Sequence, residues 1–103
     1  MYRTEQDLVG VKQIDQEAYY GIHSLRAAEN FPITNQRLPG AMIVSMAWIK
    51  KACARANRAA GVLPKYIADA IEHACDDLIA GKLHDQFIVD PIQGGAGTST
   101  NMN

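Results

Sequence analysis

The sequence predicts a mainly α-helical chain in which an irregular N-terminal segment precedes a hairpin of two helices. Two observations support this fold class: apolar residues recur twice at helical spacing between residues 41 and 81, and turn formers crowd the first 40 positions. With 103 residues and a formal net charge of −1, the chain has the size of one small globular domain. We divide it into an irregular part (1–40), a helical hairpin (41–81) and a segment that leads to a glycine-rich loop (82–103).

In residues 1–40, Gly, Asn and Pro recur at short intervals, so little regular structure is expected there. Short extended pieces are predicted around Asp7–Gln13 and Phe31–Thr34. A short helix is predicted around Glu17–Tyr20 or His23–Asn30. On the second of these, Glu29 stands three residues after Arg26 and is expected to pair with it.

The first strong helical pattern covers residues 41–60. Five apolar residues recur there at spacings of four, three, four and three, which places them on one stripe of a helix. They are Met42, Met46, Ile49, Cys53 and Ala56. Gly61 is expected just past the C-terminus of this helix.

A second helix is expected to begin near Pro64, which suits a first helical turn, and to end at Gly81. Its apolar stripe is formed by Ile67, Ile71, Ala74, Cys75 and Leu78. Two helices bury only one face each, so the chain needs further helices, its own or a partner's. Both cysteines, Cys53 and Cys75, fall on these stripes and are expected to be buried thiols.

Composition and spacing exclude several function classes. A near-neutral charge carries no electrostatic footprint for nucleic acid or an anionic membrane, and no apolar run is long enough to span a bilayer. The N-terminus shows no basic start followed by an apolar stretch, so a cytoplasmic setting is expected. Neither a metal site nor a nucleophile–base constellation follows from the spacing of the three histidines and two cysteines.

The residues that point most clearly to chemistry lie in the loop at 93–101. Three glycines within four residues let the backbone approach a ligand closely, and Thr98, Ser99 and Thr100 follow where a helix is expected to start. Such a helix start suits a carboxylate or phosphate. The alternative is a flexible linker that ends in a helix cap. The loop is not a P-loop, because no Lys precedes the Ser and Thr residues, and it lacks the dinucleotide-binding GxGxxG spacing.

Two stretches of the chain resemble the aspartase/fumarase superfamily. They are AYYGIHSLRAAENF at residues 18–31 and the segment 85–103, which contains QGGAGTSTNMN. Both carry the aspartase version of the motif, and the opening RTEQDLVG fits as well. The departures are Ser24, where Thr is usual, and Ile14-Asp15, where Val-Pro is usual. The resemblance implies that residues 1–103 form a single N-terminal domain fragment, the N-terminal part of the first domain of the aspartase/fumarase fold. The chain stops where the last helix should begin, which also predicts a truncated piece of a longer protein.

The resemblance also implies an activity, the reversible elimination of ammonia from L-aspartate to give fumarate. It implies a homotetramer whose active sites combine three subunits. It implies no organic cofactor, with activation by a divalent metal in some members. Thr98 is the implied substrate-binding residue, and Ser99 and Asn101 join it or shape the loop.

The family's proton-abstracting serine lies on a Gly-Ser-Ser loop that this sequence does not contain. We therefore expect no catalytic residue and no metal ligand within these residues. The chain alone is expected to be inactive.

Two alternatives remain open from the sequence. One is a fumarate hydratase or another superfamily lyase that acts on a succinyl group, although the Gly-Ala-Gly-Thr-Ser sequence argues against it. The other is a non-enzymic helical interaction module, which predicts a stable monomer. The apolar stripes around Met42 and Ile67 argue against that monomer unless the N-terminal segment covers them.

Overall fold

The computed structural model describes all 103 residues, and half of them are helical, which confirms the mainly α prediction. The elements in chain order are β1 (Tyr2–Gln6), β2 (Val11–Asp15), α1 (Ile22–Asn30), α2 (Gly40–Ala59), α3 (Lys65–Ile79), a 3-10 turn (His84–Gln86) and α4 (Thr98–Met102). The chain divides into two compact units. We call residues 1–38 with 85–103 the mixed unit, and residues 39–84 the hairpin unit. That residues 1–103 belong to one domain stays a prediction.

The mixed unit opens with an antiparallel β-hairpin in which Tyr2 lies opposite Asp15 and Gln6 lies opposite Val11. The prediction that residues 1–40 are mostly irregular understated this regular structure. The predicted extended piece at Asp7–Gln13 is also misplaced, because the hairpin turn occupies its first half. The carboxylate of Asp7 accepts the backbone N–H groups of Val9 and Gly10, at 2.9 and 3.1 Å, and so forms an Asx turn. No strand forms at 31–34.

Arg3, half-buried in β1, organises the chain that follows the hairpin. Its guanidinium nitrogens donate to four backbone carbonyls at 2.8–3.2 Å, those of Asp15, Gln16, Ala18 and Tyr20. Its Nε pairs with Glu5 Oε2 at 2.8 Å, and Glu5 Oε1 accepts the backbone N–H of Ile22 at 3.0 Å. The hydrogen bond from Arg3, aided by the Ile22 N–H, lowers the pKa of Glu5. Glu5 thereby occupies one of the free N–H groups at the start of α1.

Helix α1 confirms the prediction for His23–Asn30, and it contacts both β2 and α4. The predicted pair between Arg26 and Glu29 is wrong. Arg26 instead forms a bidentate pair with Asp7, at 2.8 and 3.0 Å, and Glu29 pairs with Lys12. The Asp7 side chain is only 9% exposed. The hydrogen bond from Arg26, against the cost of partial desolvation, lowers the pKa of Asp7 to about 2.

The hairpin unit consists of α2 and α3, which pack side by side and confirm the predicted hairpin. Three ion pairs join the helices: Lys51–Asp76 at 2.6 Å, Arg55–Glu72 at 2.5 Å and Arg58–Asp69 at 3.4 Å. Helix α2 ends before Gly61, whose φ of +78° lies in the left-handed region that glycine adopts without strain.

The buried face of α2 is formed by Ile43, Ala47 and Ala54, which are 2–3% exposed. The apolar stripe seen in the sequence faces elsewhere: Met42 is 48% exposed, Ile49 is 55% exposed, and Cys53 is exposed, so its predicted burial is wrong. Small alanine side chains on the buried face let α3 approach closely. Cys75 on α3 is buried as predicted, and this burial raises the pKa of its thiol.

The pKa of Asp7 makes the stability of the chain depend on pH. Its usual value is 3.8, and it falls to about 2 on folding, so its ionised form stabilises the fold above pH 4. We expect the free energy of unfolding, measured with urea, to fall as the pH drops from about 4 to about 2. The variant Asp7→Asn should be less stable at neutral pH and should show a shallower loss over that window. An equally steep loss in both proteins would contradict the assignment.

The two faces of α2 predict opposite responses to a larger side chain. Ala54→Leu places three extra carbon atoms against α3 and should lower the free energy of unfolding by about 1–3 kcal/mol. Ala52 is exposed on the same helix, so Ala52→Leu should change it by no more than about 0.5 kcal/mol. Urea unfolding followed by far-UV circular dichroism measures both. If Ala52→Leu proved the more damaging change, the observed rotation of α2 would be wrong.

Candidate functional site

The glycine-rich loop leads directly into α4, which confirms that a helix starts at Thr98. Gly95 and Gly97 have φ angles of +70° and +77°, which side chains other than glycine rarely adopt. The residue preceding the helix is Gly97, and no hydroxyl caps α4. The predicted capping by Ser and Thr is therefore wrong, and another side chain has that function.

That side chain is Gln93, at the other end of the loop. Its Oε1 accepts the backbone N–H of Thr100 at 3.1 Å, in the first turn of α4. Its Nε2 donates to Thr100 Oγ1 at 2.6 Å and to the carbonyl of Asp90 at 3.0 Å. One amide at the start of the loop is thus bonded both to Asp90, three residues earlier, and to the first turn of α4. We call these three contacts the Gln93 clamp.

Asp90, which precedes the loop, is 5% exposed and fully hydrogen-bonded. Its Oδ2 accepts the N–H and hydroxyl of Thr34 and the N–H of Asn35, at 2.7–3.0 Å, and its Oδ1 accepts the N–H of Ile92 at 2.9 Å. Desolvation opposes its ionisation, but these donors outweigh it and lower the pKa of Asp90. The carboxylate therefore anchors the loop to the segment after α1.

Asn103 fixes the segment that runs up to Asp90. Its Oδ1 accepts the backbone N–H groups of Ile88 and Val89 at 2.8 and 3.3 Å, and its Nδ2 donates to the Gln86 carbonyl at 2.9 Å. The Gln86 side chain accepts the N–H of Tyr19 at 2.9 Å. This last bond connects the two stretches that carry the family resemblance, although residues 19 and 86 are far apart in sequence.

The three residues predicted to bind substrate lie together on α4. Thr98 and Asn101 are exposed and three residues apart, so they lie on the same side of this helix. Ser99 is half-buried. The hydroxyls of Thr98 and Ser99 have no partner within the chain, so they remain available to a ligand. Their substrate-binding role stays a prediction.

Sequence reasoning missed the supporting residues Gln93, Asp90 and Asn103. Their side chains bond to backbone groups that neighbour them only after folding. A polar residue on each side of the glycine run was the signal available, but it does not reveal which backbone groups those residues reach.

The histidines do not form a second site. His23 is 63% exposed, with Nδ1 3.7 Å from Asp7 Oδ2, and His73 is 83% exposed. An open cavity of about 640 Å³ beside the β1–β2 turn is lined by Gln6, Asp7, Leu8, Val9, His23 and Arg26, none of which belongs to the loop. The structure holds no group of three or more His, Cys, Asp or Glu side chains suited to a metal ion. None of its helices has the length and apolar character needed to cross a membrane.

Comparison with known proteins assigns the chain to a family. A family model described as lyase matches residues 10–103, so the chain belongs to that family of lyases. Curated aspartate ammonia-lyases are 48–56% identical to it. That of Bacillus subtilis is 56% identical over 102 residues, which are 99% of this chain and 22% of the relative. The chain thus spans about a fifth of the length of the relatives it matches.

Solved structures agree with the family assignment. A fumarate lyase:delta crystallin from Brucella melitensis, in native form, has a TM-score of 0.94 and 48% identity, over 99% of this chain and 24% of the other. A class II fumarase from Schistosoma mansoni has a TM-score of 0.92 and 30% identity, over 98% of this chain and 22% of the other. The predicted fold class is therefore confirmed.

Removing the Asn103 side chain should loosen the segment before Asp90. In Asn103→Ala, the amides of Ile88 and Val89 lose their acceptor, and we expect their hydrogen exchange, followed by NMR, to accelerate about tenfold or more. Thr98→Ala is the matched control, because the Thr98 hydroxyl holds nothing within the chain. Unchanged exchange in Asn103→Ala, or equal acceleration in the control, would contradict the contacts described.

Proposed function

We propose that this chain is part of an aspartate ammonia-lyase, which converts L-aspartate reversibly to fumarate and ammonia, and that Thr98 contacts the substrate. The observation that carries the proposal is the exposed Thr98 hydroxyl, which has no partner and follows a glycine loop held at both ends. The 48–56% identity to aspartate ammonia-lyases along the chain supports this substrate.

The elimination needs the kind of donor that Thr98 provides. Removing the proton from the β carbon of aspartate places a second negative charge on the neighbouring carboxylate, and ammonia then leaves from the α carbon. Hydrogen-bond donors fixed in advance around that carboxylate stabilise the charge as it develops. We propose that Thr98 is one such donor, that Ser99 and Asn101 complete or shape its surroundings, and that the base which removes the proton lies outside residues 1–103.

The same family resemblance implies further properties, which we propose for the whole enzyme. It would be a cytoplasmic homotetramer that works without an organic cofactor, activated by a divalent metal in some relatives. Residues 1–103 would supply one part of each active site.

A fumarase activity is the second candidate, because the class II fumarase of Schistosoma mansoni has nearly the same fold. Its identity to this chain is 30%, well below that of the aspartate ammonia-lyases. We therefore favour ammonia elimination, and the experiment below separates the two.

A chimera tests the proposal directly. Residues 1–103 replace the aligned segment of the Bacillus subtilis aspartate ammonia-lyase, and fumarate formation is followed by its ultraviolet absorbance with L-aspartate or L-malate as substrate. We expect the chimera to deaminate aspartate and the 103-residue chain alone to be inactive, because it lacks the base. Thr98→Ala should lower kcat of the chimera about a hundredfold, and Thr98→Ser should retain most of it.

Each contrary result has a definite meaning. Turnover of malate but not aspartate would assign these residues to a fumarase. A folded chimera active with neither substrate would reject the proposed function, and full activity in Thr98→Ala would reject the role of Thr98. Fumarate release by the 103-residue chain alone would place the base within it.

A further inference from the structure

We infer that Gln93 is a positioning residue for this site, holding the Thr98 hydroxyl where the substrate carboxylate binds. The inference rests on the proposed function and adds to it a specific residue that does not touch the substrate. Three features of the structure support it. The glycine loop has little packing of its own, the Gln93 clamp joins the two ends of the loop, and an amide can both donate and accept hydrogen bonds there.

The loop has little support from packing. A side-chain carbon added to Gly95 or Gly97 would have no atom within 4 Å, and one added to Gly94 would have only the ring edge of Phe31, at 3.9 Å. Glycine backbone is also the most flexible available. A loop of this kind keeps one conformation only if its ends are fixed.

The Gln93 clamp fixes those ends. It joins Gln93 to Thr100, so that residues 93–100 form a closed ring that contains Thr98. The bond from Nε2 to the carbonyl of Asp90 orients the amide itself. Asp90 is in turn anchored by Thr34 and Asn35, so the position of the loop is set by the body of the mixed unit.

Only an amide of this length supplies both halves of the clamp. Its oxygen accepts the Thr100 N–H, while its nitrogen donates to Thr100 Oγ1 and to the Asp90 carbonyl. Glutamate keeps the acceptor but cannot donate to that carbonyl. Asparagine is one carbon too short to span the same distance. The variants Gln93→Glu and Gln93→Ala therefore remove one part and the whole of the clamp.

The experiment measures kcat and KM for L-aspartate in the chimera, which contains the whole of residues 1–103. Gln93→Ala should lower kcat/KM roughly tenfold to a hundredfold, mainly through kcat, since small misplacements of a catalytic group cost this much. Gln93→Glu should lose less. Gln36→Ala is the matched control, because the exposed Gln36 side chain forms no hydrogen bond within the chain, and it should keep full activity.

A double-mutant cycle separates positioning from general damage to the fold. If Gln93 acts through Thr98, adding Gln93→Ala to a Thr98→Ala chimera should cause less than about a twofold further loss. Multiplicative losses, or unchanged kcat/KM in Gln93→Ala, would overturn the inference while leaving the proposed function intact. An inactive but folded parent chimera would reject the proposed function, and this role of Gln93 with it.

Discussion

The mixed unit depends on the guanidinium group of Arg3. Its Nη1 donates to three carbonyls, which share its two hydrogens, and its Nη2 donates to that of Tyr20. Three of the four carbonyls lie in the segment after β2, which has no secondary structure of its own to satisfy them. The Nε–H of Arg3 orients Glu5, which fixes where α1 begins. Since α1 contacts α4, the position of the candidate site is determined in part by a residue near the start of the chain.

A second set of polar contacts holds the glycine loop in place. Asp90 and Asn103 bond backbone N–H groups of irregular chain, at Ile92 and Ile88, and Gln93 bonds both the Asp90 carbonyl and the first turn of α4. Side chains therefore take the place of secondary structure in holding the segment between the 3-10 turn and α4. Buried side chains in such networks must be fully satisfied, and no buried side-chain nitrogen or oxygen in the structure lacks a partner. The result is a loop that is held by hydrogen bonds and has almost no apolar packing.

The sequence predicted the elements whose signals are local. Periodicity located α2 and α3, glycine located the end of α2, and the Thr after the glycine run located α4. It predicted the wrong face of α2, because apolar residues lie on both sides of that helix and the local pattern does not show which side packs against α3. The partner of Arg26 and the cap of α4 were wrong for a related reason. Asp7 and Gln93 come close to their partners only after folding, and no short spacing in the sequence indicates these contacts. The role proposed for Thr98 rests on the family motif, since residue chemistry alone left a flexible linker equally open.

The ion pairs of the hairpin unit also favour one register of α3 along α2. Helix α2 carries four positive charges and no negative one, while α3 carries four negative charges and a single Lys65 at its start. The three cations on α2, from Lys51 to Arg58, are spaced by four and then three residues. Their partners on α3, from Asp76 to Asp69, have the same spacing in the opposite direction along the chain. Sliding α3 by one turn so that Asp69 met Arg55 would bring Lys65 opposite Arg58. Like charges would then repel, so the same residues that join the helices also reject the nearest wrong register in that direction.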